Sequence, residues 1–342
     1  MRRYELEFAE ISGRKVLITG GLGFIGSNLA IRCVELGGHV TIITRSLAKK
    51  ENLGSALNRV TIHELNLRTA DNVREGLQSL LAGQDYIFHM AAQTSHVDSM
   101  LLPAADLEAN CGVTLELLES CRQVCPGASI VVPGTVTQLG RATNLPVSED
   151  HLDWPLTLYD AHKLTCEKYL YVYYMNYGLK TTMLRLANVF GERQQVNNPK
   201  RGILNYMMWQ AINGKDLTVY EPGNFIRDYS YVQNCVDALL LAGISSNTNG
   251  KAYIFGSGIG LEFQEMVREV VEAVYSLTGI KSDIVRIPFP VDEKKMDVGD
   301  FIANNRKLCD DTGWYPRIGF ADGLSNTISY YIDRLEGGLD ER

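Results

Sequence analysis

Strand-like runs of mostly apolar residues recur at Val16–Thr19, Val40–Thr44, Val60–Glu64, Tyr86–Met90, Ile130–Pro133 and Thr181–Leu186, and segments with helical spacing separate them. Runs apolar at nearly every position belong to strands covered on both faces. Their alternation with helices predicts a parallel sheet with crossover helices. Past residue 187 the rhythm changes: loops lengthen, prolines multiply, and a late amphipathic pattern runs from Glu262 to Leu277. The expectation is an α/β fold in which residues 1–187 form a doubly wound parallel sheet, residues 229–254 return to it, and residues 188–342 form mainly a smaller α/β lobe.

The link after the first run sharpens this. Glycines stand at 20, 23 and 26, followed by a helical pattern from Ser27 to Leu36 that Gly37 and Gly38 end, and then by the second strand. A strand, a tight glycine turn and a helix make a Rossmann-type dinucleotide site: glycine lets the backbone approach the pyrophosphate, and the helix start supplies free N–H groups. Gly20, Gly23, Phe24, Ile25 and Gly26 are therefore expected at the cofactor. In an NAD site the second strand ends in an acid that bonds the ribose hydroxyls. Here it ends in Arg45 and Ser46, with Lys49 and Lys50 behind. A guanidinium suits a 2′-phosphate, so NADP(H) is favoured over NAD(H); the other readings of Arg45 are a solvated strand end or packing against adenine.

Charge excludes other partners. The 342 residues carry 33 Lys plus Arg against 40 Asp plus Glu, a net −7, so binding of nucleic acid through a general basic field is not expected. The seven cysteines show no CxxC or metal-type spacing, which predicts reduced thiols, a cytoplasmic setting and no metal. No apolar run approaches membrane-spanning length, so no membrane partner is expected.

The candidate chemistry lies in Tyr159-Asp160-Ala161-His162-Lys163. Four residues on a helix place Tyr159 and Lys163 one turn apart, where the ammonium, helped by an oxidised nicotinamide, favours the phenolate and lets Tyr159 act as a base. Lys163 can also hold the cofactor's ribose. Thr135, just past an apolar strand on the same sheet edge as the glycine turn, offers a hydroxyl to a substrate. His162 reads as a helix-surface histidine.

Six ordered motifs carry a resemblance: Gly20-x-x-Gly23-Phe24-Ile25-Gly26, His89-x-Ala91-Ala92-Gln93, Thr135 five residues before Gly140, Tyr159-x-x-x-Lys163, Arg185-x-x-Asn188-x-x-Gly191, and Arg227-Asp228-Tyr229-x-Tyr231-Val232. They resemble the extended short-chain dehydrogenase/reductase family, in its nucleotide-sugar epimerase and dehydratase branch. The resemblance implies a nicotinamide cofactor, a nucleotide-diphosphate sugar as substrate, and Thr135, Tyr159 and Lys163 as the catalytic set. It implies Asn66, Leu67, Ala91, Ala92 and Gln93 at the cofactor. It implies Ser99, Thr135, Asn188, Asn205, Tyr220 and Arg227 at the substrate. For Arg227 the chemistry agrees, because a guanidinium fork suits phosphate oxygens, although a structural pair with Asp228 is the alternative.

The 4,6-dehydratases resembled here place Asp-Glu after the threonine, whereas this chain has Val136-Thr137, which cannot exchange protons at neutral pH and leaves no obvious extra base. Dehydration and decarboxylation are thereby disfavoured. A 4-epimerase with transient hydride transfer is expected first, an NADPH-dependent 4-ketoreductase second, and a non-catalytic cofactor-sensing homologue last. Tyr169, Tyr173 and Tyr177 form a stripe at spacing four that reads as core. Family members pair this helix with the one corresponding to Leu107–Val124, which implies a homodimer.

Overall fold

The computed structural model describes residues 7–68, 73–197, 202–288 and 299–336. Seven strands build one parallel sheet: β1 (Lys15–Thr19), β2 (His39–Thr44), β3 (Val60–Glu64), β4 (Tyr86–His89), β5 (Ser129–Thr135), β6 (Lys180–Leu186) and the later β10 (Lys251–Phe255), in the order β10-β6-β5-β4-β1-β2-β3. The chain winds one way from β1 to β3, then restarts at β4 and winds the other way. That reversal between β1 and β4 opens a crevice at the carboxyl ends of the strands.

Both faces of the sheet are covered, which is why its strands read as apolar runs. On one face lies α1 (Phe24–Glu35); on the other are α2 (Val73–Leu81), α5 (Val113–Val124) and α6 (Leu158–Tyr177). Two short helices, α3 (His96–Leu101) and α4 (Pro103–Leu107), lead into α5 through a π-helical turn at Glu108–Gly112. The helix after the glycine turn begins at Phe24 rather than Ser27, because Gly23 is already in extended geometry as its N-cap. Helix α6 starts on a capping box in which Thr157 and Asp160 satisfy each other's backbone N–H, and it ends on left-handed Gly178.

The second lobe contains α7 (Ile203–Ile212), a three-stranded sheet of order β11-β9-β7 formed by β7 (Asn188–Phe190), β9 (Ile226–Tyr231) and β11 (Gly260–Glu262), and a parallel pair of β8 (Leu217–Tyr220) with β12 (Ile284–Ile287). The chain returns to the large sheet at α8 (Val232–Ile244), which packs with α1 in one core, and at β10 beside β6; Tyr229–Tyr231 stay in the three-stranded sheet. Helices α9 (Phe263–Thr278) and α11 (Phe320–Glu336) complete the second lobe, and α10 (Arg306–Thr312) brings Leu308 and Cys309 back onto the first core. Ile25 and Val189 pack against both cores, so the start of α1 is the seam between the lobes. Among the described residues no helix is long and apolar enough to cross a membrane.

The tyrosine stripe divides. Tyr173 is buried and donates to Glu119 of α5 at 2.6 Å, whereas Tyr177 is 52% exposed.

Candidate active site

The glycine turn shows why its residues are glycines. Gly20 has φ +65°, and a Cβ there would meet the Ala91 nitrogen at 2.9 Å. A Cβ on Gly26 would sit 2.4 Å from the Gly20 carbonyl oxygen, so any side chain at 26 pushes the helix off the turn. Among the described residues no side chain caps α1, which leaves its first N–H groups at the strand ends. The side chains of Phe24 and Ile25 pack against the second lobe's core, that of Ile25 against the first core as well, and neither residue lines the cleft above the turn.

Above this turn lies a cleft of about 390 Å³ lined by Gly20, Gly23, Arg45, Ser46, Asn66, Leu67, Ala91 and Ala92, which come from the ends of four neighbouring strands. Arg68 lines it as well and has no counterpart in the sequence reading. Arg45 and Arg68 also line an adjoining hollow of about 230 Å³ with Gln93 and Asp106. Arg45 is exposed and makes no hydrogen bond or ion pair with described residues.

Tyr159 and Lys163 lie outside that lining, on the first turns of α6, 7% and 5% exposed. Burial, with the charges of Asp160 and Asp106 beside it, pushes the Tyr159 phenol above its ordinary range. Within the protein alone desolvation sets that direction; the expected phenolate calls also on the positive charge of a bound oxidised nicotinamide. Burial likewise lowers Lys163, whose ammonium makes no hydrogen bond or ion pair with a described protein group. A buried donor without an acceptor fits a ribose hydroxyl. The neighbouring His89 is held neutral, pushed down to about 3 by burial and then by the Lys163 charge; its Nδ1 lies 2.8 Å from the Thr19 hydroxyl and its Nε2 has no partner. The glycine cradle, the uncapped helix and the unpaired Lys163 together fit a dinucleotide.

Thr135 ends β5. Its N–H donates to Gln138 Oε1 at 2.8 Å; Gln138 Nε2 donates to Glu167, and Glu167 holds Arg185 through two bonds of 2.7 Å. Arg185 also forks onto Asp153, so the arginine of the Arg185-x-x-Asn188 motif braces the threonine turn from inside. The Thr135 hydroxyl lies 2.8 Å from that of Thr137, which donates to buried Asp160. Thr137 is thus tied to a carboxylate, which the reading of Val136-Thr137 as inert to protons left out.

Other expected residues are placed differently. His162 is not a surface histidine: it is 14% exposed, with Nδ1 2.6 Å from buried Asp106, whose other oxygen accepts from Gln93 at 2.8 Å. Ser99 is wholly buried and donates to the His96 carbonyl at 2.7 Å. Asn205 is wholly buried as well, bonded to Gly191 and to the Tyr331 hydroxyl, and so joins loop to helix. Asp228 does not pair with Arg227; it accepts from Ser257, Gly258 and Ala303. Arg227 lies half-buried over the Phe225 ring and donates to the carbonyls of Ile226 and Gly299. Asn188 is exposed one pairing step away, its amide 3.5 Å from the Asp228 carbonyl. Tyr220 is 37% exposed on the separate β8–β12 pair.

The sequence reading missed His96 as well as Asp106, Thr137, Asp160 and Arg68. His96 packs edge-on against the Tyr159 ring at 4.8 Å.

The model of the NAD dependent epimerase/dehydratase family matches residues 16–256. The chain is 27% identical to UDP-glucuronic acid decarboxylase 1 of Danio rerio over 339 residues, spanning 96% of this chain and 75% of that one. The solved UDP-glucose 4-epimerase of Thermotoga maritima with UDP-glucose superimposes with a TM-score of 0.82 at 27% identity, covering 94% of this chain and 99% of that one. The UDP-glucose 4-epimerase of Thermus thermophilus in complex with NAD gives a TM-score of 0.79 at 29% identity, covering 93% and 99%. The family match runs from the first strand through the glycine cradle and the tyrosine helix to the last strand of the large sheet. This chain therefore belongs to the NAD dependent epimerase/dehydratase family, in the nucleotide-sugar branch of the extended short-chain dehydrogenases/reductases, and is an NAD(P)-dependent nucleotide-sugar enzyme.

Proposed function

We propose that this enzyme is a nucleotide-sugar 4-epimerase. The observation that carries the reading is the threonine turn: Thr135 is followed by Val136, only 8% exposed, and by Thr137, so neither of the two positions after it offers an acid to a sugar carbon. Without such an acid, the chain lacks the Asp-Glu pair with which the dehydratases it resembles eliminate water, and the glutamate on which decarboxylation relies. What Thr135, Tyr159 and Lys163 can do is hold one sugar hydroxyl and move its proton. Bound nicotinamide supplies a place for a hydride to go and return from. Asn188 and Arg227 are proposed at the diphosphate, with Tyr220 toward the base.

The test is interconversion of UDP-glucose and UDP-galactose with added nicotinamide cofactor. Product should form with no net change in nicotinamide absorbance, since an epimerase returns its hydride. Steady consumption of NADPH with a 4-keto sugar nucleotide would replace this reading with the ketoreductase. That second reading is favoured by Arg45 and Arg68, two guanidinium groups at the cleft where an NAD site has an acid. They also support a preference for NADP(H), tested by titrating both cofactors into the apo protein.

We also propose a homodimer through α5 and α6, whose outward faces expose Leu115, Tyr171, Val172 and Met175. A monomeric mass in light scattering would refute it. The free cysteines support a reducing cytoplasmic setting.

A further inference from the structure

Thr135 is one end of a chain of hydroxyl groups. Thr137 has a single hydroxyl hydrogen and gives it to Asp160 Oδ1. The hydrogen in the 2.8 Å contact between the two threonine oxygens therefore belongs to Thr135. The Thr137 N–H also points at Thr135 Oγ1, from 3.2 Å. Thr135 thus directs its own hydrogen inward, and toward a ligand it presents a lone pair.

Asp160 divides its two oxygens between two tasks. Oδ2 accepts from the Thr157 N–H at 3.1 Å and from the Thr157 hydroxyl at 2.7 Å, which completes the cap of α6. Oδ1 is surplus to that cap and accepts from Thr137; His96 Nδ1 lies 3.4 Å from it, but its hydrogen-bond partner is the Thr157 hydroxyl, at 3.2 Å. His96 is 37% exposed in its side chain, whereas Asp160 is wholly buried, so the imidazole stands between the carboxylate and solvent.

We propose that Thr135, Thr137 and Asp160 form a proton wire that draws the proton of the reacting sugar hydroxyl inward onto a buried carboxylate, beside the route through Tyr159. This rests on Thr135 being the substrate-facing hydroxyl of the 4-epimerase reading. In the oxidative half the sugar O–H bond breaks and its proton goes to Thr135 Oγ1. The Thr135 proton passes to Thr137, and the Thr137 proton to Asp160 Oδ1, whose carboxylate becomes a carboxylic acid. The electron pair left on the sugar oxygen forms the carbonyl as hydride leaves the same carbon for the oxidised nicotinamide. The return step runs each transfer backwards. Asp160 touches no substrate and is a positioning residue. Because the wire ends on a hydroxyl, it serves alcohol oxidation and not proton abstraction from carbon, consistent with epimerisation at one centre. Burial disfavours a phenolate at Tyr159, which gives a second proton route its use.

Thr137→Val breaks the wire without touching the Oδ2 cap, and Thr137→Ser restores it. With UDP-glucose as probe, Thr137→Val should lower kcat about tenfold, leave KM and cofactor affinity within about twofold, and turn a bowed solvent-deuterium proton inventory into a straight one. Thr137→Ser should return both. In the apo protein, the Thr137 hydroxyl proton should be seen by NMR as slowly exchanging, and should vanish in Thr137→Val. Wild-type kcat in Thr137→Val, a loss that Ser does not rescue, or a fast-exchanging Thr137 hydroxyl overturns the wire alone. Absence of UDP-glucose turnover in the wild type withdraws the 4-epimerase reading and the wire with it.

Discussion

The two halves of the site are made of different material. At the β1–α1 turn the working surface is backbone: Gly20, Gly23 and Gly26 clear space, and uncapped N–H groups face the crevice. At the β5–α6 edge it is side chain: Thr135, Thr137, Asp160, His96 and Tyr159 meet from three separate segments. A backbone site fails when something is added to it. A side-chain network fails when something is removed.

The sharpest way to separate them is Tyr159→Phe, which removes one oxygen from the side-chain half. It should lower kcat about a thousandfold while cofactor affinity changes little, measured by steady-state kinetics and by fluorescence titration. Unchanged turnover would favour a cofactor-sensing protein. The converse is Gly26→Ala, whose Cβ would come 2.4 Å from a carbonyl oxygen. We expect cofactor affinity to fall about a hundredfold, roughly 2.7 kcal/mol, read by calorimetry. If this substitution instead spared binding and harmed only turnover, the division between the halves would be wrong.

Arg45→Asp tests the outer rim of the backbone half. It should shift the NADP(H)/NAD(H) affinity ratio about tenfold toward NAD(H), because it trades a phosphate partner for a ribose acceptor. A ratio that does not move would make Arg45 a solvated strand end.

A stability test concerns His89, which sits between the halves. Folding lowers it to about 3 from 6.5, so between those values the unfolded chain binds a proton that the native protein refuses. Its contribution to stability is complete above 6.5 and declines as pH falls toward 3, by at most about 1.4 kcal/mol per pH unit. His89→Asn should flatten that acid flank in denaturant melts.

The contrast also explains what could be read in advance. The strands, the glycine turn and the Tyr159–Lys163 pair are local patterns, fixed by spacing within a few residues, and the helix start shifted only from Ser27 to Phe24. The partners of Asn205 and Ser99 were not legible, because motif position says which segment a residue occupies, not which way its side chain points; one bonds Gly191 and Tyr331, the other the His96 carbonyl. His162 was misread for want of its partner Asp106, which lies 56 positions away.

The amino-acid sequence by itself determined the alternation of strands and helices, and with it a parallel sheet whose reversal leaves a crevice, because apolar periodicity and glycine act over short distances. Only the tertiary structure decided that Thr137 is bonded to a carboxylate, that His96 lies against Tyr159, and that burial raises the phenol. Those facts depend on desolvation and on groups brought together from 23 to 63 positions apart, and no local pattern encodes either.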